Sequence, residues 1–339
     1  MQAFDPHGIL ACQSIEALIE CGAITAVSPF LSDQVQPASI DLRLGDHAWR
    51  ARASFLPGAH RTVAERLADV AMHRLDLTGE GAVLERGCVY IAPLQEITRL
   101  PADIRGRANP KSSTGRVDVF VRLLTDHGRT FDEVPAGYAG GLFVEIAPQT
   151  FPVLVRAGTR LNQMWLKRGP PAKLSTRMID VDLTGALAGF RARRHAGVID
   201  LDLEGGHDPH GFWEALEPRR GELVLDPGEF YILASKQTVG VPPFQAAEMT
   251  PIDPSVGEFR VHYAGFFDPG FGAAEAGGSG SRCVLEVRNH DTPFLLEDGQ
   301  TVARLVYEPM TERPDRLYGA GGSHYQSQGL KLSKHFHVW

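Results

Sequence analysis

The sequence repeats itself at an offset of 141 residues, and this repeat constrains the fold more than any other feature. The segment LERGCVYIAPLQEITRLP, which starts at Leu84, matches LDPGEFYILASKQTVGVP, which starts at Leu225. The same offset aligns LFVEIAPQTFPVLVRAGTRLNQMWL, from Leu142, with CVLEVRNHDTPFLLEDGQTVARLVY, from Cys283. One offset that holds across two separated blocks indicates a duplication. A unit of about 140 residues is too long for a solenoid repeat and has the size of a domain.

Short strands are expected in both units. The 339 residues include 36 Gly and 23 Pro, which suits a turn-rich β protein better than a helical bundle. β-branched and aromatic segments bounded by Gly or Pro predict strands at 88–92, 117–122, 142–146, 283–287 and 302–307. We therefore predict two domains, 1–170 and 171–339, called the first and second repeat below.

A few features depart from this β pattern. A short helix is expected near the N-terminus, capped by Ser14 and ended by Gly22. The stretch from Lys167 to Ala196, rich in Pro, Gly and Arg, is expected to be a linker, and GGSGS at 277–281 a flexible hairpin loop. We expect the terminal HFHVW, 335–339, to be an exposed tail.

Charge and cysteine content exclude several classes of protein. The net charge of −7 argues against a general nucleic-acid binder, which needs Lys and Arg to neutralise phosphates. No apolar run is long enough to span a membrane, and no signal peptide is recognised, so we expect a cytoplasmic protein. The four cysteines are scattered without a CxxC pattern, so they predict buried free thiols rather than a zinc ribbon or disulfides.

Three groups of residues could carry chemistry. Glu145 and its repeat counterpart Glu286 each lie within an apolar strand, where a carboxylate must be paired, protonated or directed into a cleft. The turn Lys111–Arg116, KSSTGR, offers hydroxyls and cations to phosphate oxygens, whereas its counterpart at 253–257, DPSVG, does not. Asp268 in FDPGF, with Asp132 and Tyr138 at the looser counterpart, could accept a ribose hydroxyl beside an aromatic ring.

Several well-known site patterns are absent from the sequence. It contains no HExxH, no HxE with PCxxC, no GxSxG and no GxGxxG after a strand. These absences argue against a zinc protease, a zinc nucleobase deaminase, a serine hydrolase of the elbow type and a dinucleotide-binding fold.

The combination of motifs resembles the dCTP deaminase family of the dUTPase-like superfamily. QPASIDLRLG, from Gln36, resembles the N-terminal motif of the family, and SSTGR resembles its RSSxxR motif with Lys111 at the first Arg. FDEVPAGYAGGLFVEI resembles its IDPGWxGxxxLE block, and RAGTRLNQMWL places Gln163 on a Gln shared with dUTPases. HYQSQGLKLSKH, from His324, is similar to the C-terminal tail, with Tyr318 upstream.

The resemblance implies a mainly β fold, with tandem duplicated dUTPase-like β-clip domains, distorted barrels with a few short helices. It implies hydrolytic deamination of dCTP to dUTP without a catalytic metal, Mg²⁺ arriving as the nucleotide complex. Family members assemble as trimers with sites at subunit interfaces, so a homo-oligomer is expected, with sites between domains or subunits. Inhibition by dTTP is a further possibility that the resemblance raises.

The two repeats depart from the family pattern in complementary ways. The first keeps Ser-Ser and Arg but lacks the tail, whereas the second keeps the tail and carries Arg304 where the first has Gln163. We infer one type of site, built on the first repeat and completed by the tail of a second. Because Glu145 shares a repeat with Arg116, we predict that Glu145 is the base and that Arg116 orients it.

The resemblance also assigns the other roles. Lys111, Ser112 and Ser113 would hold the triphosphate, and Arg129 lies near the place of a phosphate-binding Arg. Asp132 and Tyr138 would contact the deoxyribose, and Tyr325 and Gln328 would close over the phosphates; Asp268 and Glu286 are the second-repeat equivalents. Two other functions stay open: a dUTPase-like or bifunctional enzyme that forms dUMP, and a non-catalytic nucleotide-binding regulator.

Overall fold

The computed structural model describes residues 4–170, 174–253, 260–262, 265–319 and 325–339, with 260–262 as backbone. His324 of the tail motif and residues 254–257 of DPSVG lie outside the described residues. No helix among the described residues is long and apolar enough to cross a membrane.

The described part of the first repeat, residues 4–170, contains thirteen strands and three short helices. They are β1 Gly8–Ile9, α1 Cys12–Glu20, β2 Ile24–Ala26, β3 Ser39–Arg43, β4 His47–Ala51, α2 Val63–Val70, β5 Ala71–Asp76, β6 Ala82–Leu84, β7 Val89–Arg99, β8 Ile104–Pro110, α3 Ser112–Gly115, β9 Val119–Thr125, β10 Glu133–Val134, β11 Ala139–Pro148, β12 Val153–Val155 and β13 Arg160–Arg168.

The described part of the second repeat contains strands and two 3₁₀ turns. They are β14 Ser175–Asp180, β15 Gly189–Ala192, β16 Ile199–Asp200, the turn Pro209–Gly211, β17 Trp213–Leu216, β18 Glu222–Leu225, β19 Phe230–Val239, β20 Gln245–Pro251, β21 Arg260–His262, β22 Phe266–Phe267, the turn Ala274–Ala276, β23 Ser281–Arg288, β24 Phe294–Glu297 and β25 Thr301–Pro309.

The duplication is visible in the strand pairing. The order β5-β4-β7-β11-β9 in the first repeat recurs as β17-β15-β19-β23-β21 in the second. The order β3-β13-β8-β10 likewise recurs as β14-β25-β20-β22, and the pair β12-β6 recurs as β24-β18. The mainly β, tandem duplicated fold that the sequence predicts is confirmed. The division at residue 170 stays a prediction.

The central strands are apolar because they are covered on both sides. Ile91, Val144 and Ile146 on β7 and β11 are fully buried, and Ile232 and Leu285 are buried on β19 and β23. Such strands lose the polar alternation of a half-exposed sheet and become nearly continuous apolar runs. This is why the sequence shows LFVEIAP and CVLEVR, in which a single Glu interrupts the apolar residues.

The two repeats are packed against each other through an extended contact. β16 of the second repeat pairs in parallel with β12 of the first, Val153 opposite Ile199. Phe190, Trp213 and Phe230 of the second repeat belong to the same apolar cluster as the core of the first. Trp165 of β13 also stacks on Phe266 of β22, with ring centroids 3.7 Å apart.

Four expectations from the sequence require correction. α1 begins at Cys12, so its N-cap is Ala11, which has no capping side chain; Ser14 lies inside the helix, and its hydroxyl donates to Glu312 Oε1 at 2.5 Å. The expected linker at 167–196 contains β14 and β15, which complete sheets of the second repeat. Of the four cysteines, which are all free, only Cys12 and Cys283 are buried.

The correction that matters most for the site concerns the expected exposed tail. His335 and Phe336 of the terminal HFHVW are buried, at 2% and 6% exposure. The sequence could not reveal this burial because the segment that covers these residues is more than 100 residues away, at 199–213.

Candidate active site

The cavity that collects most of the candidate residues has a volume of about 380 Å³ and lies between the repeats. It receives side chains from β3, α3 and β13 of the first repeat, and from β22, β23 and the C-terminal segment of the second. Its lining residues are Asp33, Gln36, Asp41, Lys111, Ser112, Ser113, Arg116, Arg160, Gln163, Glu204, Met249, Gly265, Phe266, Phe267, Asp268, Phe271, Val284, Glu286, Tyr318, Tyr325, Gln328 and Lys334.

One end of the cavity is polar and cationic. The turn α3 follows directly on β8 and places Lys111, Ser112 and Ser113 at the cavity wall. Lys111 Nζ forms an ion pair with the buried Asp41, and Arg160 Nη1 lies 3.5 Å from Asp41 Oδ2. Hydroxyls and cations at one end of a cavity suit a phosphorylated ligand.

The cavity lining also includes a buried carboxyl–guanidinium pair. Glu286 on β23 and Arg116 after α3 are 5% and 2% exposed. Arg116 Nε lies 3.9 Å from Glu286 Oε1, which is an ion-pair distance but too long for a hydrogen bond. Burial raises the pKa of Glu286 to about 8, against the opposing effect of Arg116. A carboxyl with such a pKa can exchange protons near neutral pH.

Arg116 is also held by the C-terminal segment of the same chain. Its Nη1 donates to the backbone oxygen of Lys331 and its Nη2 to Gln328 Oε1, both at 3.0 Å. The guanidinium lies over the Tyr325 ring, 4.0 Å from the centroid. Arg116 therefore joins three parts of the chain: the α3 turn, β23 and the tail.

An apolar wall and one carboxyl complete the cavity. Phe267 and Phe271 pack edge to face at 5.1 Å, and Phe271 also contacts the Tyr318 ring at 5.6 Å. Between them Asp268 is buried, at 7% exposure, and burial raises its pKa to about 7. Asp268 Oδ1 has no hydrogen-bond partner among the described residues, so this oxygen is available to accept a hydrogen bond from a ligand.

Comparison with known proteins identifies the family. The model of the N-terminal domain of 2′-deoxycytidine 5′-triphosphate deaminase matches residues 6–170. The model of the C-terminal domain of the same enzyme matches residues 162–336, about half of the chain by itself. The chain belongs to the dCTP deaminase family.

Solved and curated relatives agree with this assignment. A crystal structure of 2′-deoxycytidine 5′-triphosphate deaminase from Agrobacterium tumefaciens is 51% identical, with a TM-score of 0.86, over 90% of this chain and 100% of that one. A dCTP deaminase from Halorubrum lacusprofundi is 29% identical over 40% of this chain and 64% of its own length. A "dCTP deaminase, dUMP-forming" from Methanospirillum hungatei is 30% identical over 46% of this chain and 79% of its own length.

Most of the predicted site residues of this dCTP deaminase family member meet in the cavity. They are Lys111, Ser112, Ser113, Arg116, Gln163, Asp268, Glu286, Tyr318, Tyr325 and Gln328. The tail that was expected to complete the site comes from the same chain. The first repeat thus contributes the Ser-Ser turn and Arg116, and the second contributes Asp268, Glu286 and the tail.

The structure does not bring Glu145 and Arg116 together. Glu145 is buried on β11, directly opposite Arg122 of β9. Its Oε1 accepts from Arg122 Nε at 3.0 Å and from Nη2 at 2.6 Å. The Arg122 guanidinium in turn covers the Phe131 ring at 3.5 Å. The premise for choosing Glu145 was a shared repeat, but the Arg116 side chain extends out of its own repeat toward β23.

Three other predicted residues lie outside the cavity. Asp132 Oδ1 accepts from the backbone N–H of Leu123 at 2.7 Å, within its own repeat. The Tyr138 hydroxyl accepts from Asp126 N at 3.1 Å and donates to Gly141 O at 2.8 Å. Arg129 lines a different cavity. Asp268, the counterpart of Asp132 in the second repeat, lines the cavity instead.

Sequence analysis missed six polar residues of the cavity: Asp33, Gln36, Asp41, Arg160, Glu204 and Lys334. Asp41 and Arg160 stand inside the motifs QPASIDLRLG and RAGTRLNQMWL, so their motif position was a usable signal. Glu204, which pairs with Lys334, carries no pattern in the sequence. Among the described residues, no cluster of three or more His, Cys, Asp or Glu could hold a metal ion.

Proposed function

We propose that this protein hydrolyses dCTP to dUTP and ammonia, with Glu286 as the general base and Arg116 as its partner. One observation carries the proposal: a buried carboxyl of raised pKa faces Arg116 in a cavity whose lining also presents Lys111, Ser112 and Ser113. The family assignment supports the same reaction. The proposal replaces Glu145 by Glu286 because only Glu286 lines this cavity.

The cavity supplies a place for each part of the nucleotide. The triphosphate would lie at Lys111, Ser112 and Ser113, with Arg160 and Lys334 as additional cations. Because Asp41 is paired with Lys111 at this end, Mg²⁺ carried by the nucleotide would reduce repulsion between phosphate and carboxylate. The sugar would face Asp268 and Phe271, and the base would extend to Glu286.

The chemistry needs one group that accepts a proton and returns it. Ionised Glu286 takes a proton from water as the water oxygen bonds to C4, and the C4–N3 π electrons move to N3, which takes that proton. The carboxylate then moves the remaining hydroxyl proton to the exocyclic amino nitrogen. The bond between C4 and this amino nitrogen breaks, and ammonia leaves as the C4 carbonyl forms. A pKa near the operating pH is what such two-way transfer requires.

Two alternatives give different products. A dUMP-forming enzyme is the second candidate, because the relatives from Methanospirillum hungatei and Methanobrevibacter smithii carry that name. It would add cleavage of dUTP to dUMP and pyrophosphate. A non-catalytic nucleotide-binding regulator would bind dCTP without forming ammonia.

The first experiment is product analysis of the purified protein with dCTP and Mg²⁺, by ion-exchange chromatography with ammonia detection. We expect ammonia and dUTP, unchanged by a chelator that removes zinc and spares Mg²⁺, and reduced when dTTP is added. Ammonia with dUMP and pyrophosphate would establish the dUMP-forming alternative. Cleavage of dUTP without action on dCTP, or binding without any product, would refute the proposed deamination.

The matched variants E286Q and E145Q test which carboxyl acts. Both remove one buried carboxyl from equivalent strand positions, so both carry a similar risk to folding. We expect E286Q to lose turnover by at least about 100-fold, as for loss of a general base, and to keep nucleotide binding by calorimetry. Turnover lost in E145Q and retained in E286Q would return the base to Glu145.

The homo-oligomer expected from the family is measured independently by light scattering. Since one chain brings together the Ser-Ser turn, Arg116, Glu286 and the tail, we propose that assembly is not needed to complete this cavity. A dilution series in which specific activity stays constant while the oligomer dissociates is the expected result.

A further inference from the structure

Residues 332–336, near the end of the chain, are docked against the protein. Leu332, Ser333, His335 and Phe336 are buried, at 2–6% exposure. Backbone hydrogen bonds hold this segment on residues 205–207: Gly205 N donates to Lys334 O at 2.8 Å, and His207 N to His335 O at 3.1 Å. We call residues 332–336 the C-terminal anchor.

The anchor lies on a segment whose structure differs between the two repeats. Between β4 and β5 the first repeat has the helix α2, whereas between the equivalent strands β15 and β17 the second repeat has β16 and the turn Pro209–Gly211. Phe336 packs edge to face against Phe212 and Trp213 there, with ring centroids 5.3 and 6.0 Å apart. The two repeats thus diverge at the place where the anchor docks.

Two hydrogen bonds connect the anchor to the cavity. The Ser333 hydroxyl donates to the backbone oxygen of Ser113 at 2.8 Å, and Ser113 lies in the turn that would hold the triphosphate. The backbone N–H of Lys334 donates to the Tyr325 hydroxyl at 3.2 Å, and the Tyr325 ring supports Arg116. The anchor therefore contacts the Ser113 turn directly and Arg116 through the Tyr325 ring.

His335 fixes the position of Ser333 from the other side. His335 Nδ1 lies 2.9 Å from Ser333 Oγ, and His335 Nε2 lies 3.1 Å from the backbone oxygen of Leu201. A hydroxyl that is already buried and held loses little further entropy when it forms a hydrogen bond to a neighbouring turn. More of the free energy of that bond is therefore available to fix the turn.

We propose that the C-terminal anchor preorganises the nucleotide site, and that Ser333 is a positioning residue for the phosphate-binding turn. The proposal rests on the proposed function for its ligand, a deoxynucleoside triphosphate. Ser333 itself does not line the cavity, so its effect passes through the Ser113 backbone.

The test uses the full-length variants S333A and S333T, with V338A as a control because Val338 is 93% exposed. We expect S333A to raise the KM for dCTP about three- to ten-fold, the effect of one lost hydrogen bond, with kcat within two-fold of wild type. S333T keeps the hydroxyl and should restore the wild-type KM. The Kd for dUTP, measured by calorimetry, should rise in parallel in S333A.

The other outcomes distinguish failure of the anchor's role from failure of the proposed function. If S333A matches V338A in KM and Kd, or lowers only the melting temperature, the anchor is structural and the proposal is wrong. If wild type binds dUTP but does not deaminate dCTP, the proposed function fails, and the Kd values of S333A and S333T still decide the role of the anchor. If wild type binds no nucleotide, both proposals are overturned.

Discussion

At the residue scale, two glutamates at equivalent strand positions occupy different environments. The environment of Glu145 suits a structural role, and that of Glu286 suits a chemical one. Glu145 accepts two hydrogen bonds from Arg122 of the neighbouring strand, whereas Glu286 has Arg116 at 3.9 Å. Glu145 is thus held in a cross-strand ion pair and does not line the cavity. A looser pair within a cavity leaves room for a reacting group.

The first prediction concerns Glu145. We expect E145Q to keep kcat within two-fold of wild type and to lower the free energy of unfolding by about 1–3 kcal/mol, because a buried ion pair loses one charge. Denaturant unfolding with steady-state kinetics measures both quantities. A large loss of turnover in a folded E145Q protein would contradict this structural role.

The second prediction is a pH dependence of stability that comes from Glu286. Burial raises its pKa from the ordinary value of 4.5 to about 8 in the folded protein. Between these values the folded state binds more protons than the unfolded state, so the free energy of unfolding falls as pH rises. E286Q lacks this group, so wild type should lose stability relative to E286Q between pH 5 and pH 9.

Urea unfolding at each pH gives the difference between the two proteins. Asp268 and Asp132, whose pKa values burial raises to about 7, titrate in both proteins and cancel in this difference. Parallel stability curves for wild type and E286Q would show that Glu286 does not titrate in this range.

For single residues, the sequence predicts which side chains belong to the site more reliably than it predicts the partners of those side chains. Ser113, Arg116 and Glu286 could be identified because motifs fix their positions along the chain. Their meeting could not, because the offset of 141 residues relates the repeats in sequence and does not say which repeat faces which. Glu145 and Arg122 form a cross-strand pair, which needs the register of β9 and β11.

At the scale of elements, the turn between β22 and β23 shapes the site more than the strands do. It carries Asp268 and Phe271 into the cavity and ends in Gly272, whose φ is +62°. A Cβ added at Gly272 would lie 2.2 Å from Val239 O and 2.8 Å from Ser281 N. Only glycine therefore fits between these two backbones.

The third prediction compares two glycines of positive φ. G272A should lower the free energy of unfolding by about 3 kcal/mol or more and reduce turnover, because the turn must shift and displace Asp268. G228A also requires positive φ, but its added Cβ meets nothing within 4 Å. G228A should therefore cost only about 1–2 kcal/mol and leave turnover unchanged; equal effects of both variants would refute the steric argument.

Element boundaries were predicted less well where a segment departs from its repeat counterpart. The strands at 142–146, 283–287 and 302–307 fall inside β11, β23 and β25. By contrast, Pro, Gly and Arg at 167–196 suggested a linker. They concealed β14, an edge strand of the kind that tolerates these residues, and the four-residue β15 between β17 and β19. The docked C-terminal segment could not be predicted because its partners are distant in sequence.

At the scale of the whole molecule, residues that are equivalent in the two repeats meet each other. Arg107 Nη2 bonds Glu248 Oε1 at 3.0 Å, and Lys167 Nζ bonds Glu308 Oε1 at 2.7 Å. In both pairs the partners are 141 residues apart, the offset of the sequence repeat. Two identical repeats would carry the same residue at both positions of such a pair and would bring like charges together. Opposite charges can meet here only because the two repeats differ in sequence.

The last prediction tests whether this complementarity holds the repeats together. Glu248 is 6% exposed, so R107E should place two carboxylates in contact and lower the free energy of unfolding by about 3–5 kcal/mol. The swapped double variant R107E/E248R should recover about half of that loss, since Asn109 also donates to Glu248 at 3.2 Å and would lose its acceptor. R61A, which breaks an exposed pair with Asp69, is the control and should change stability little. The single variant E248R completes the comparison. If the double variant is no more stable than the separate effects of R107E and E248R predict, apolar packing alone, such as Trp165 on Phe266, fixes how the repeats meet.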